Sequence, residues 1–299
     1  MTRSFLSAAT VEDALSALSG GARPVAGGTD LVVGARQGKA PLPVAIVAID
    51  RIPGLRAIDV SDVGLRLGTL VTHGDIMASE EIRTRYTALA DASAIVGSHA
   101  TRAQGTIGGN VMNASPAMDT GGPLLCFGAT ATLRSAAGER SIGLDELWTG
   151  PGSTSADPDE LLVGLDVPAP SDGVGSCYVR LEYRRQMEIA VVGATAVVTV
   201  DGARIVDARV AITALTPTIR RVREAESALA DSDGGEGAVE AAAAAAAAAS
   251  TPISDVRASA EYRRAMAAVI ANRAITAALT RARGGSVPIP ASPALHGAS

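Results

Sequence analysis

A chain of 299 residues, 47% of them apolar, is long enough to bury one large core or two smaller ones and needs no disulfide or metal staple. Its net charge is −5, and its 26 Lys and Arg residues form neither a run nor a stripe interleaved with aromatics, which argues against a nucleic-acid surface. Aromatics make up only 2%, so the core must be built from Ala, Val, Leu and Ile.

Residues 1–18 carry Glu12 and Asp13 and no apolar stretch of signal-peptide length. Instead, Thr10-Val11-Glu12-Asp13 reads as a capping box, and Val11, Leu15 and Leu18 recur at helical spacing up to Gly20-Gly21. Pro24-Val25-Ala26 breaks at Gly27-Gly28, a regular segment opens at Leu31, and the β-branched run from Val44 to Ile49 predicts a buried strand. Two short strands are expected around Asp62-Val63-Gly64, followed by a polar helical region from about Thr72 to Val96. Ala129 to Leu133 and Leu161 to Val167 again read as strands, and Pro151, Pro158, Pro168 and Pro170 predict loops and a domain boundary near residue 173.

Beyond that boundary Ala190 to Val200 and Ala203 to Leu215 are β-rich runs joined by Asp201-Gly202, a strong hairpin signal. The pattern turns helical from Arg223. It includes nine consecutive alanines, Ala241 to Ala249, which read as a packed helix rather than low complexity, and an amphipathic stretch from Ala258 to Arg283. Gly284 to Ser299 is expected to be a loose tail. No segment reaches the roughly 18–20 apolar residues of a membrane span, so the cytoplasm is the expected compartment. Cys126 and Cys177 lack Cys-x-x-Cys pairing and read as buried small hydrophobes; His73, His99 and His296, the last in the tail, show no metal-ligand spacing, and His73 and His99 read as structural.

Two glycine-rich stretches carry chemistry. In Val25-Ala26-Gly27-Gly28-Thr29-Asp30-Leu31, missing side chains let a ligand approach the backbone, and successive N–H groups can converge on a phosphate; Thr29 and Asp30 stand where helix caps are expected. An ordinary tight turn is the alternative. Gly105-Thr106-Ile107-Gly108-Gly109-Asn110 repeats the logic. It runs on through Asn113 to Ser115, a candidate cap for a helix starting at Pro116. Asp119 would lie in that first turn, stabilised by the helix dipole or accepting from a sugar hydroxyl. Neither stretch matches the Rossmann or phosphate-loop pattern.

Together these stretches resemble the FAD-binding medium subunit of the molybdenum hydroxylases, the family of the carbon monoxide dehydrogenase medium subunit and the xanthine dehydrogenase FAD domain. Further similar stretches follow in the family's order. They are Gly150-Pro151-Gly152 with Asp159-Glu160-Leu161-Leu162, Arg184-Arg185-Gln186-Met187-Glu188-Ile189-Ala190, and Ile253-Ser254-Asp255-Val256-Arg257 with Glu261-Tyr262-Arg263-Arg264.

The resemblance implies an α+β fold. A PCMH-type FAD-binding domain at 1–173, made of two α+β subdomains (about 1–57 and 58–173), would precede a C-terminal domain at 174–285 with a three-stranded antiparallel sheet and helices. Residues 286–299 would be the tail. The resemblance also implies that Val25, Ala26, Gly27, Gly28, Thr29, Asp30 and Leu31, with Thr106, Ile107, Gly108, Gly109 and Asn110, hold the FAD diphosphate. Asn113 and Asp119 would lie on phosphate or sugar hydroxyls, and Val163 and Val96 would pack near the flavin. Val96 stands where xanthine dehydrogenase relatives place an aromatic, and Val191 where they have a lysine.

In the family picture a large molybdopterin-binding subunit and a small subunit with [2Fe-2S] clusters are partners, and quinone, NAD or oxygen is the acceptor. No residue of this chain is expected to act as acid or base, and no metal is expected on it. A stand-alone FAD-dependent oxidoreductase acting directly on a small molecule and a non-catalytic FAD-binding scaffold are the competing readings.

Overall fold

The computed structural model describes residues 3–184 and 186–296; Arg185 of the Arg184-Arg185 pair and the last three residues of the expected tail lie outside the described residues. The first unit is a parallel sheet. Strands β1 (Ser4–Ser7), β2 (Arg23–Val25) and β3 (Ala45–Ala48) align in the order β1-β3-β2, with helix α1 (Val11–Ser19) after β1 and α2 (Leu31–Arg36) after β2. The Thr10–Asp13 capping box forms as expected, Thr10 accepting from the Asp13 amide at 3.1 Å and Asp13 accepting from the Thr10 amide at 3.1 Å.

The second unit is antiparallel. Strands β4 (Ile58–Ser61) and β5 (Gly64–Gly68) form the hairpin expected around Asp62. They are joined by β6 (Thr130–Ser135), β7 (Gly138–Gly143) and β10 (Leu161–Pro168) in the order β4-β5-β10-β6-β7. The expected single helical region is three helices, α3 (His73–Ala78), α4 (Glu80–Arg85) and α5 (Thr87–Ile95). The first break falls at Ser79, whose extended backbone ends α3 while its hydroxyl caps α4, and the second at Tyr86. Nor is the region polar throughout, since Ala88 to Ile95 are all buried. Short helices α6 (His99–Gln104), α7 (Ile107–Asn113), α8 (Gly121–Phe127) and α9 (Leu144–Leu147) complete the unit, with a small hairpin of β8 (Trp148–Gly150) and β9 (Ser153–Thr154) around Pro151.

Strands β11 (Val174–Leu181), β12 (Val192–Asp201) and β13 (Arg204–Thr213) form the third sheet, to which the two-residue β14 (Arg220–Arg221) adds a fourth, unexpected edge. The Asp201-Gly202 turn joins β12 and β13, and Gly202 takes the left-handed conformation that such a turn requires. Along β12 the side chains alternate. Val192, Ala194, Ala196 and Val198 enter the core beneath α10 (Arg223–Leu229), α11 (Glu236–Ala248) and α12 (Ala260–Ala282), whereas Val197 joins the core of the second unit. A sheet buried on both faces explains why the sequence reads as a continuous apolar run. The alanine run forms the second half of α11 and ends on its C-cap, Ala249; the helix packs through Val239, Ala242, Ala243 and Ala246.

The expected loose tail is instead docked. Helix α13 (Ala291–Leu295) lies against β11 with Ala291 and Ser292 fully buried, because three of its polar groups find partners there. Ser292 Oγ accepts from the Arg180 amide at 3.0 Å, the Ala291 amide donates to Asp91 at 3.1 Å, and His296 Nε2 contacts the Arg180 carbonyl at 2.6 Å. No helix among the described residues is long and apolar enough to cross a membrane.

Candidate functional site

The two glycine-rich stretches, about eighty residues apart in sequence, meet in the fold. A β-carbon on Gly27 would stand 1.8 Å from the Gln104 carbonyl oxygen, so the first loop passes the second in backbone contact. Gly105 lies between the loops in the same way: a methyl there would touch Thr29 Oγ1 and His73 Cδ2, both at 3.4 Å. Gly28 has φ +67°, the left-handed turn that re-aims the chain from β2 into α2.

The amides of the two loops differ. Those of Gly27, Gly28, Thr29 and Asp30 donate to no acceptor among the described residues. Four successive amides without an internal acceptor, around a left-handed glycine, are donors that an anion could take. In the second stretch every amide from Ile107 to Asn110 is already used: Ile107 to the Val71 carbonyl at 2.8 Å, Gly108 to the Thr69 carbonyl at 3.1 Å, Gly109 to Thr106 Oγ1 at 3.0 Å and Asn110 to the Thr106 carbonyl at 2.9 Å. The two stretches are therefore not equivalent cradles. The second is the capped first turn of α7, and Gly108 is a glycine because a β-carbon there would fall 1.8 Å from Thr69 Oγ1. Gly109 is exposed, so this turn presents bare backbone outward.

Three capping expectations change. Asp30 has a helical backbone and makes no cap bond to α2. Thr29 makes no side-chain hydrogen bond to α2 either, and Leu31 is simply the first residue of that helix. Ser115 does not start a helix at Pro116, because the carbonyls of Ala114 and Pro116 accept from the distant Gly152 and Ala214 amides instead of starting a ladder. The next helix begins at Gly121.

Asp119 accordingly lies ahead of α8 and is 7% exposed. Its carboxylate accepts from Tyr178 Oη and Arg180 Nη1, both at 2.6 Å, so each oxygen already has a partner within the protein. Arg180 is fully buried and also donates through Nε to Glu182. Burial pushes Asp119 up against the pull of Arg180 and Tyr178. The direct contact with a permanently charged guanidinium keeps the carboxylate form at neutral pH.

Of the remaining expected residues, Val25 ends β2. Ala26 packs against the apolar cluster that contains Val163, whose carbonyl accepts from Thr69 at the irregular point of β10. Val163, Thr69 and Gly108 thus form a continuous path between the loops. Asn110 Oδ1 accepts from Thr120 at 2.6 Å, and Asn113 is an exposed residue at the end of α7 with no bond to either loop. Val96 follows α5, partly exposed, and its carbonyl accepts from Arg102 Nη1 at 2.9 Å. Val191 is fully buried in the C-terminal core. Sequence reasoning missed Thr69, Arg102, Tyr178 and Arg180; none sits in a motif of its own, and only the folded contacts bring them to the site.

His73 lies behind the cradle, 1% exposed, with Nδ1 buried and unpaired. Burial, helped by the nearby Arg102 charge, lowers its pKa from 6.5 to about 4. The depressed value means the unfolded chain takes up the proton first, so stability is lost as pH falls from about 6.5 toward 4. His73→Gln is expected to remove about 3 kcal/mol of that loss, read as the difference between urea-unfolding free energies at pH 7.5 and 4.5 in the two proteins. Equal pH dependence in both would refute the assignment.

Residues 1–170 match the family described as FAD binding domain in molybdopterin dehydrogenase, and residues 178–278 match the CO dehydrogenase flavoprotein C-terminal domain. The chain belongs to this FAD-binding family. It is similar to the 6-hydroxypseudooxynicotine dehydrogenase complex subunit alpha of Paenarthrobacter nicotinovorans, 34% identical over 93% of this chain and 95% of the relative. It is also similar to the carbon monoxide dehydrogenase medium chain of Afipia carboxidovorans, 30% identical over 90% and 93%. Among solved structures, carbon monoxide dehydrogenase from Hydrogenophaga pseudoflava superposes with a TM-score of 0.90 at 29% identity, covering 94% of this chain and 98% of that one. The FAD-binding family gives this chain its cofactor, FAD, and its class, an oxidoreductase subunit. The free amides over Gly27-Gly28 and the glycine-width contact between the loops fit a diphosphate.

Proposed function

We propose that this chain is the electron-transfer flavoprotein subunit of a multi-subunit molybdenum hydroxylase, assembled with a large molybdopterin-binding subunit and a small [2Fe-2S] subunit. The observation that carries the reading is the cradle of four free amides at Gly27 to Asp30, closed against the second loop through the Gly27–Gln104 contact. When bound, FAD supplies the redox chemistry, accepting electrons from the iron–sulfur partner and passing them to an acceptor such as quinone, NAD or oxygen.

The chain's own residues bind and position. Val25 to Leu31 grip the diphosphate through backbone donors, and Gly109 and Asn110 present the outward turn of α7 to it. Val163 and Val96 offer apolar surface to the ring. Asp119, held by Tyr178 and Arg180, braces the wall between Asn110 and the C-terminal sheet. Both cysteines are buried and free, and burial drives the Cys126 thiol up to about 12, so neither is suited to ligate a cluster. That supports assigning the iron–sulfur relay to a partner. The relatives named as a complex subunit alpha and as medium chains point the same way.

The purified chain should be yellow and release FAD on denaturation. Gly109→Leu places a side chain on an exposed position whose β-carbon meets only Thr106 Oγ1, at 3.0 Å, so the fold should survive. FAD affinity should still fall at least tenfold, about 1.4 kcal/mol, measured by flavin fluorescence quenching. Correctly folded wild-type protein that stays colourless with added FAD would overturn the reading.

A further inference from the structure

Arg102, in α6 and three residues ahead of Gly105, is only 6% exposed. It forms an ion pair with no carboxylate among the described residues. The nearby carboxylates are held by other cations: Asp119 and Glu182 by Arg180, Glu188 by Arg184 and Asp75 by Arg56. The only hydrogen bond that its guanidinium makes among the described residues is the one from Nη1 to the Val96 carbonyl. Its other nitrogens are not sealed in. The buried, partnerless atoms include Arg180 Nη2 and Arg263 Nε but none of Arg102, so its free N–H groups open to solvent. Burial, and then the like charge of Arg180, lower its pKa.

A cation held mostly out of water without a counter-charge is unfavourable, even where part of its fork still reaches solvent. A fold keeps such a group where a negative ligand completes it. Arg102 meets that description: it stands three residues ahead of the second glycine-rich stretch and bonds the carbonyl of Val96, the residue that the resemblance puts near the flavin. It fixes the Val96–Gly97 turn by its hydrogen bond and leaves the rest of its fork unspent. Two electrons and one proton added to an oxidised flavin leave the reduced ring with one negative charge, and that charge is what a cation in a low-dielectric wall stabilises.

We propose that Arg102 is the counter-charge for the reduced flavin, raising its reduction potential in addition to holding the Val96–Gly97 turn. The proposal rests on the FAD reading above. It predicts that charge, not shape, is what matters at this position. Arg102→Gln keeps a donor for the Val96 carbonyl and removes the charge; Arg102→Lys keeps the charge and alters the fork.

The test is equilibration of the FAD-loaded full chain with a redox dye, monitored by absorbance. Arg102→Gln should shift the equilibrium toward oxidised flavin by about tenfold, which is about 30 mV for a two-electron couple. Arg102→Lys should stay within about threefold of wild type. An unchanged Arg102→Gln, or equal shifts in both variants, would show that the residue only supports the turn. Should Arg102→Gln release its flavin, Arg102→Met, also uncharged, takes its place: a tenfold shift toward oxidised flavin upholds the assignment and a potential within threefold of wild type refutes it. Wild-type protein without FAD would instead defeat the earlier reading, and a flavin-loaded wild type with an indifferent Arg102 defeats only this one.

Discussion

Gly27→Ala is expected to empty the flavin site while leaving the chain folded. The added methyl would fall 1.8 Å from the Gln104 carbonyl oxygen, which is backbone and cannot rotate away, so the two loops must separate by more than an ångström. The free amides of the first loop then lose their register with the turn of α7, and the cradle opens at the point where an anion would sit. We expect FAD affinity to drop more than 100-fold, about 3 kcal/mol, by equilibrium dialysis.

Gly34→Ala is the matched control. Gly34 lies inside α2 with nothing within 4 Å of an added β-carbon, so alanine there should retain FAD and stabilise the helix by about 0.5–1 kcal/mol. If Gly27→Ala binds FAD as tightly as Gly34→Ala does, the contact between the loops has no part in binding.

The contrast between the two loops shows what could be read from residues alone. Thr10 with Asp13, Asp201-Gly202 and the alanine run are local devices whose partners lie within a few positions, and each produced the structure its chemistry predicts. Gly27 and Gly108 also announced themselves as unusual, but the reason for each lies far away in sequence, at Gln104 and Thr69 respectively. Nothing local distinguishes a glycine needed for a ligand from one needed for a neighbouring strand.

The expected place of Asp119 in a first helical turn failed because the next helix starts only at Gly121, and its carboxylate is instead met by Tyr178 and Arg180 from a different sheet. The Ser115 cap failed because tertiary donors took the carbonyls a new helix would have used. The tail, rich in Pro and Gly, gave no local signal for docking because its partners, Asp91 and the backbone of Arg180, were already folded elsewhere.

Asp91→Ala is expected to be the most destabilising single change at the junction of these elements. Asp91 is fully buried on α5, and its carboxylate accepts from four groups. Arg281 of α12 donates through Nη1 at 2.6 Å and Nη2 at 3.1 Å, the Tyr178 amide of β11 at 3.3 Å and the Ala291 amide of α13 at 3.1 Å. Removing it leaves Arg281, 8% exposed at its side chain, with carbonyl partners at Ser176, Val287 and Pro288 but without its counter-charge. Breaking one side of such a pair costs about 3–5 kcal/mol, to be read from urea unfolding.

Cutting the chain after residue 285 removes only the Ala291 bond from Asp91 and keeps the Arg281 pair, so it should cost clearly less. Combined with Asp91→Ala, the truncation should be less than additive, because the strap's buried anchor is gone in both. Full additivity would mean that α13 docks independently of Asp91, and a loss below 1 kcal/mol for Asp91→Ala alone would mean that the helices and the sheet hold together without the buried pair.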